Sequence, residues 1–186
     1  RRISRGAWLL YRPDVDVLAP RHQPVVIRPA DQSDMARRIV GEAMVLCGMA
    51  TADFFCERGL PAPFRVQSPP KEPPLPAGLY TEPVDIYAML KHMSAAHGGP
   101  RPGPHAVLAA DGYVQATSPL RRASDLLAQR QLIAALRGQP QALSASAIRR
   151  ALRGGQERLR RLRSEERRAR RYFCLVALAA RGLGAV

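Results

Sequence analysis

Seven prolines fall within residues 61–76 (Pro61, Pro63, Pro69, Pro70, Pro73, Pro74 and Pro76), and no regular helix or central strand runs through such a stretch. Each proline fixes φ and removes a backbone donor, so residues 61–80 are expected to be an extended, largely polyproline-like connector. An SH3-type partner could read such a segment; an ordinary crossing of the surface asks for less. Everything regular must lie on either side of it.

Before the connector, residues 7–11, 15–18 and 25–27 are apolar or alternating and are separated by Pro-containing punctuation, which predicts short strands in a meander over 1–30. A helix is predicted over 33–58, within a segment 31–60. Asp31 or Ser33 can cap it, and Gly59 with Pro61 stops it. Ile39, Ala43, Leu46, Ala50 and Phe54 recur at helical spacing and are expected to be its buried stripe. Glu42 sits among apolar neighbours and is read either as the partner of an arginine or as a ligand contact. After the connector, segment 81–143 is expected to hold a short helix over 83–97 capped by Thr81, a loop over 98–104, a turn at Asp111-Gly112 and a strand over 113–117. Ser118-Pro119 then predicts the start of a helix reaching Arg137, with Ser118 as cap and Gly138 as stop. Residues 144–180 read as an Arg-rich helix, with a break allowed at Gly154-Gly155. Its expected stripe is Leu152, Leu159, Leu162, Ala169, Phe173 and Val176. The fold class is therefore α+β: short N-terminal strands, then mostly helix.

Charge narrows the function. The chain of 186 residues carries 29 basic and 15 acidic residues, a formal +14, which favours a polyanionic partner such as nucleic acid. The basic set is 27 Arg and 2 Lys and there is no Asn, as a GC-rich genome would encode. Codon usage explains Arg in place of Lys but not a basic total about twice the acidic one. Residues 149–171 hold eleven Arg and three Glu, a local +8. That run is a solvated face, the wall of an RNA channel, or a surface that docks on a ribonucleoprotein. Cys47, Cys56 and Cys174 give neither a disulfide framework nor a CxxC knuckle, and His22, His92, His97 and His105 show no zinc spacing. No apolar run is seen near the roughly 20 residues a membrane span needs, so no membrane partner is expected. No charged-then-apolar leader is visible, and the first residue is Arg, which suggests a processed chain or a fragment.

The segment Thr117-Ser118-Pro119-Leu120-Arg121-Arg122-Ala123-Ser124-Asp125 carries the most chemistry. A helix N-terminus is already partly positive, so two arginines in a first turn are unfavourable without an anion or an acidic neighbour. Free N–H groups, two hydroxyls and two guanidiniums make a phosphate cradle. The other reading pairs Arg121 and Arg122 with carboxylates.

The order Gly103-Pro104-His105, then Tyr113-Val114-Gln115-Ala116-Thr117-Ser118-Pro119-Leu120-Arg121-Arg122, then Asp125-Leu126-Leu127 with Arg130 resembles the signature of the ribonuclease II / ribonuclease R (RNB domain) family. A second stretch agrees in order: Ala36-Arg37-Arg38-Ile39-Val40-Gly41-Glu42-Ala43-Met44, through Gly59-Leu60-Pro61 to Phe64-Arg65-Val66. The spacing between them is similar to cyanobacterial or plastid-type members. The resemblance implies the C-terminal half of the catalytic domain of a processive, hydrolytic 3′-to-5′ exoribonuclease acting on single-stranded RNA with Mg²⁺, located in the bacterial cytoplasm or a plastid. It implies catalytic roles for Arg121, at the phosphate near the scissile bond, and Glu166, near the leaving nucleotide, with Glu165 as the alternative alignment. It implies RNA binding by Thr117, Ser118, Arg122, Tyr113, His105 and Arg130, although His105 and Tyr113 also read as packing residues.

Departures from the family pattern matter. Its aspartate metal cluster matches none of the eight Asp here, so Mg²⁺ ligands, and an association with the half that carries them, are expected outside this sequence. Ala123 replaces an aromatic, Gly41 an acidic residue, and Tyr11 or Trp8 must supply base stacking expected near Leu10. Two other functions therefore stay open. One is a non-catalytic RNA-binding or ribonucleoprotein component derived from an RNB domain; the other is a basic helical module for duplex DNA.

Overall fold

The computed structural model describes residues 2–11, 14–30, 35–139 and 142–182. Six short strands and four α-helices follow in the order β1 (Trp8–Leu10), β2 (Asp14–Leu18), β3 (Val26–Ala30), α1 (Met35–Glu57), β4 (Phe64–Val66), β5 (Gly78–Tyr80), α2 (Pro83–His92), β6 (His97–Gly99), α3 (Ala123–Leu136) and α4 (Ala145–Ala180). The α+β class expected from the sequence is the one observed.

The strands form three two-stranded ladders. β2 and β3 make the expected antiparallel hairpin, from Asp14↔Ala30 to Leu18↔Val26. β1 does not continue it as a meander. It runs parallel to β5, beyond the proline segment, with Trp8↔Gly78 and Leu10↔Tyr80 in register. The Trp8 indole N–H also donates to the Leu75 carbonyl at 3.2 Å, so the connector is fastened to β1 as it passes. β4, inside the proline-rich stretch itself, pairs antiparallel with β6, which overlaps the start of the expected 98–104 loop. Of the expected 113–117 strand only Val114 forms a bridge, to Phe64.

The core joins the C-terminal half of α1 to β4, the 114–116 segment and α3: Ala52, Phe55, Ala62, Phe64, Val114, Ala116 and Ala128. α1 ends as its sequence predicts. Gly59 takes φ +60°, its N–H reaches the Cys56 carbonyl at 3.1 Å and Leu60 N–H reaches Phe55 at 2.9 Å, a Schellman closure. The residues expected to cap its start, Asp31 and Ser33, lie outside the described residues.

The buried face of α1 is a correction. Gly48, Thr51, Ala52 and Phe55 point inward, while Ile39 and Leu46 are 62% and 68% exposed and Ala43 and Ala50 face out. Small residues serve closeness rather than bulk: the Val114 N–H donates to the Gly48 carbonyl at 3.1 Å, so backbone meets backbone there. Apolar length is a second correction at the same helix. α1 is 23 residues long and holds an 18-residue stretch of mean hydropathy 1.6, enough by length and composition to cross a membrane, and here its inward residues carry the core.

Three further expectations change. Thr81 does not cap α2, whose N-cap position is Glu82 with Pro83 following. α4 is unbroken at Gly154-Gly155, spans 36 residues and is about 54 Å long. Ser144 caps it, accepting from the Ala147 N–H at 3.2 Å. Its stripe is seated chiefly toward the ends, at buried Ile148 and Ala177 and half-buried Leu152 and Phe173, while Leu159, Leu162, Ala169 and Val176 are exposed. The helix meets α3 and β6, and β2 and β3 as well.

Candidate nucleic-acid interface

Ser118 does not cap the long helix. Its carbonyl accepts from the Arg121 and Arg122 N–H groups at 3.2 and 3.0 Å, closing a single turn. Arg122 then takes an extended conformation (φ −132°, ψ 111°), and α3 starts at Ala123, five residues after Ser118. The cause is Asp125, which is fully buried. One carboxylate oxygen accepts the Ser118 N–H at 2.9 Å and the Arg122 guanidinium at 3.0 Å; the other accepts the Ser124 hydroxyl at 3.1 Å. Arg122 also donates to the Thr117 hydroxyl at 3.2 Å. A carboxylate inside the fold thus staples both ends of the turn.

This divides the arginine pair. Arg122 is held, with its Nε buried and unpartnered. Arg121, on the same turn, is exposed, and its guanidinium has no hydrogen bond or ion pair among the described residues. Thr117 and Ser118 lie beside it, exposed and half-buried. Arg130 lies on the exposed side of α3, opposite the inward set Asp125, Ala128, Gln131 and Ala134, and is not drawn into this cluster.

His105 and Tyr113 lie beneath the surface, 7% and 8% exposed, their rings edge to face at 5.6 Å. His105 is a bridge point in the backbone: its N–H donates to the Ala110 carbonyl at 2.8 Å, and it pairs with Gln67. Burial, and next the positive charge of Arg65, push its pKa down to about 4, so the ring is neutral. Burial raises the Tyr113 phenol. Both side chains are buried rather than presented at the surface.

On α4, Glu166 shares a face with Arg163, Arg167 and Arg170, lining a shallow hollow of about 250 Å³. Glu165 points elsewhere and pairs with Arg168 at 3.3 Å. Glu166 is therefore the carboxylate on the Arg163 face. Among the described residues, Arg161 pairs with Glu157 at 3.1 Å and Arg168 with Glu165 within the helix. Glu42 has the arginine partner its surroundings suggested: Arg2, bidentate, which holds its carboxyl below the usual range.

Sequence reasoning did not single out two side chains. Asp125 has no role in it beyond membership of a motif. Arg65 is half-buried on β4, its N–H on the Tyr113 carbonyl at 2.8 Å; burial, then Arg163, and with them Arg122, depress its pKa against an opposing effect of Tyr113. Phe64 is in the core, so strand alternation alone puts Arg65 on the other face. Among the described residues no three His, Cys, Asp or Glu side chains gather as a metal site, so these residues do not fit Mg²⁺ and no step through a metal is assigned to them.

Comparison with known proteins bears on the family and the fold. Residues 78–138 match the RNB domain. An uncharacterized ribonuclease of Synechocystis sp. is 33% identical over 180 residues, covering 94% of this chain and 26% of that protein. The chloroplastic/mitochondrial ribonuclease II of Arabidopsis thaliana is 36% identical over 147 residues, covering 72% of this chain and 18% of its own. The backbone superposes on Mycoplasma genitalium RNase R in complex with ribose methylated single-stranded RNA with a TM-score of 0.80 at 18% identity, over 97% of this chain and 34% of that one. The chain thus spans about a quarter or less of the curated relatives it matches. On sequence and backbone together, it belongs to the ribonuclease II / ribonuclease R (RNB domain) family, of whose longer members it represents a part.

Proposed function

We propose that this chain is the RNA-phosphate-gripping part of a hydrolytic 3′-to-5′ exoribonuclease that degrades single-stranded RNA. The observation that carries the reading is the stapled turn: Asp125 fixes Arg122, and the neighbouring Arg121 is presented without a counter-ion among the described residues. A guanidinium fixed at its base and free at its tip suits the developing charge of a phosphodiester under attack, where preorganised donors act most strongly. Arg121 is assigned to the phosphate at the scissile bond. Glu166 is assigned to the leaving nucleotide, with Thr117, Ser118 and Arg122 around the backbone. Mg²⁺ would be held by carboxylates outside this chain. It would activate water and neutralise the phosphate. The relatives favour a bacterial or plastid setting.

The test joins this chain in one polypeptide to the aspartate-bearing segment of an RNB relative. With Mg²⁺ it should degrade single-stranded RNA. Arg121→Ala should lower kcat by about 10²–10³-fold, with RNA affinity changed far less. Unchanged turnover in the variant refutes the assignment. The second reading is a non-catalytic RNA-binding component, favoured by Ala123 and Gly41 where the family has an aromatic and an acidic residue. Binding of RNA without turnover in the joined protein selects it.

A further inference from the structure

The bulky apolar side chains of α1 lie at helical spacing on the face that this chain leaves bare. Met35, Ile39, Ala43, Leu46 and Ala50 follow at steps of three and four residues and all face out, Met35 being 63% exposed like its neighbours Ile39 and Leu46. The stripe runs for about 22 Å before Asp53 interrupts it. Charges at its edge are already engaged: Glu42 holds Arg2, and Arg38 lies over the Tyr11 ring at 5.6 Å. The opposite face of the helix is full, with Gly48, Thr51, Ala52 and Phe55 turned into the core. α1 is thus apolar on two sides and covered on one; only 22% of its most apolar 18 residues are buried. A helix apolar all round belongs in an interior, and a continuous apolar patch marks an interface.

The missing cover is protein rather than lipid. Lipid would have to surround α1, and half of its circumference is packed on Phe64, Val114 and Ala128. The stripe is also shorter than the roughly 30 Å of a hydrocarbon layer. The lengths of the relatives point to the occupant. The chain is matched over 94% of itself by the Synechocystis ribonuclease and over 97% by RNase R, yet makes up 26% and 34% of those proteins. Most of their polypeptide therefore lies outside the part matched here. A helix with two apolar faces sits between two layers of one domain. Its inner face already holds the 113–116 segment that leads into the Arg121 turn, so the outer layer belongs to the same catalytic domain.

We infer that the outward stripe of α1 is the docking surface for the aspartate-bearing segment of the RNB catalytic domain, met through a complementary apolar face. The inference rests on the proposed division of the catalytic domain between this chain and that segment, and not on any contact with RNA.

The test compares the melting of the 186-residue chain alone with that of the joined protein used to test the proposed function. Leu46→Ala, Ile39→Ala and the harsher Leu46→Glu should leave the Tm of the chain alone within about 2 °C, because these side chains stand in water. In the joined protein each should lower Tm by about 5 °C or more. The alanine variants keep the comparison readable where the glutamate prevents folding. Equal, small shifts in both proteins overturn the docking surface; if that joined protein still degrades RNA, the proposed function stands. An equal, large loss in both also overturns it, since the stripe then supports the chain's own fold. Two further readouts on the chain alone name the other occupants. Concentration-dependent dimerisation in sedimentation that Leu46→Glu abolishes, with the joined protein indifferent, assigns the stripe to a second copy. Flotation with phosphatidylglycerol/phosphatidylethanolamine vesicles that Leu46→Glu abolishes, again with the joined protein indifferent, assigns it to a membrane surface. Either result overturns the inference.

Discussion

Adding one methyl group at Gly48 tests the contact on which the whole interface rests. A Cβ there would lie 2.2 Å from Tyr113 Cε2, 2.8 Å from Cδ2 and 3.0 Å from Cζ. None of these can yield cheaply. The ring is 8% exposed and is backed by His105, and the backbone cannot retreat because Val114 N–H is bonded to the Gly48 carbonyl at 3.1 Å. Overpacking of this kind costs about 3 kcal/mol, the upper part of its usual range. Alanine returns about 1 kcal/mol of helix propensity, so Gly48→Ala should lose about 2 kcal/mol net. At Gly41, seven residues earlier on α1, an added Cβ would meet nothing within 4 Å, so Gly41→Ala should gain about 1 kcal/mol. The two substitutions are chemically identical and should move the urea midpoint in opposite directions, by about 1 M downward for Gly48 with a typical m-value. Tyr113→Leu in the Gly48→Ala background should recover part of the loss, a coupling of about 1–2 kcal/mol. Equal midpoints for the two alanine variants, or simple additivity with Tyr113→Leu, would refute the close packing of α1 on the 113–116 segment.

Asp125→Asn should cost about 3 kcal/mol by urea denaturation, since it leaves the three-quarter-buried Arg122 guanidinium without its counter-charge. A loss below about 1 kcal/mol would mean that the staple does not organise the turn. His105 sets a pH dependence. Its pKa is about 4 in the fold against 6.5 in the unfolded chain, so the unfolded state takes the proton first as pH falls. Its contribution is complete above pH 6.5, declines between there and about pH 4, and amounts to at most about 3 kcal/mol. His105→Phe should flatten the slope of stability between about pH 5 and pH 6.5, above most carboxylate titrations, and an unchanged slope would count against a neutral buried ring.

Element positions were legible in the sequence because local chemistry writes them. Gly59 ends α1 through a conformation other residues avoid, and alternation marks β2 and β3. Which face of α1 is buried was not legible. Apolar periodicity locates bulk, and bulk at Ile39 and Leu46 faces out here. The inward face is chosen by Gly48 and Ala52, which matter only once Tyr113 and Gly112 are beside them. The pairing of β1 with β5 was hidden for a similar reason, since the proline-rich connector must first be crossed before the two strands can meet.

The start of α3 bears most on function, and it too was hidden. Ser-Pro is the same local signal whether it opens a helix or a single turn, and only Asp125, seven residues downstream, decides. Had the helix begun at Ser118, Arg121 and Arg122 would both have stood in a first turn, equally opposed to its dipole. Breaking the chain at Arg122 removes that equivalence. Arg122 turns back to Asp125 and Thr117, and Arg121 is left outside the staple. Two adjacent, chemically identical side chains thus acquire different sensitivities. Arg122→Ala should lower stability and RNA affinity together, whereas Arg121→Ala should leave the melting curve of the chain unchanged. If the two variants melt alike, the carboxylate does not distinguish them, and the assignment of Arg121 over Arg122 to the scissile phosphate loses its structural basis.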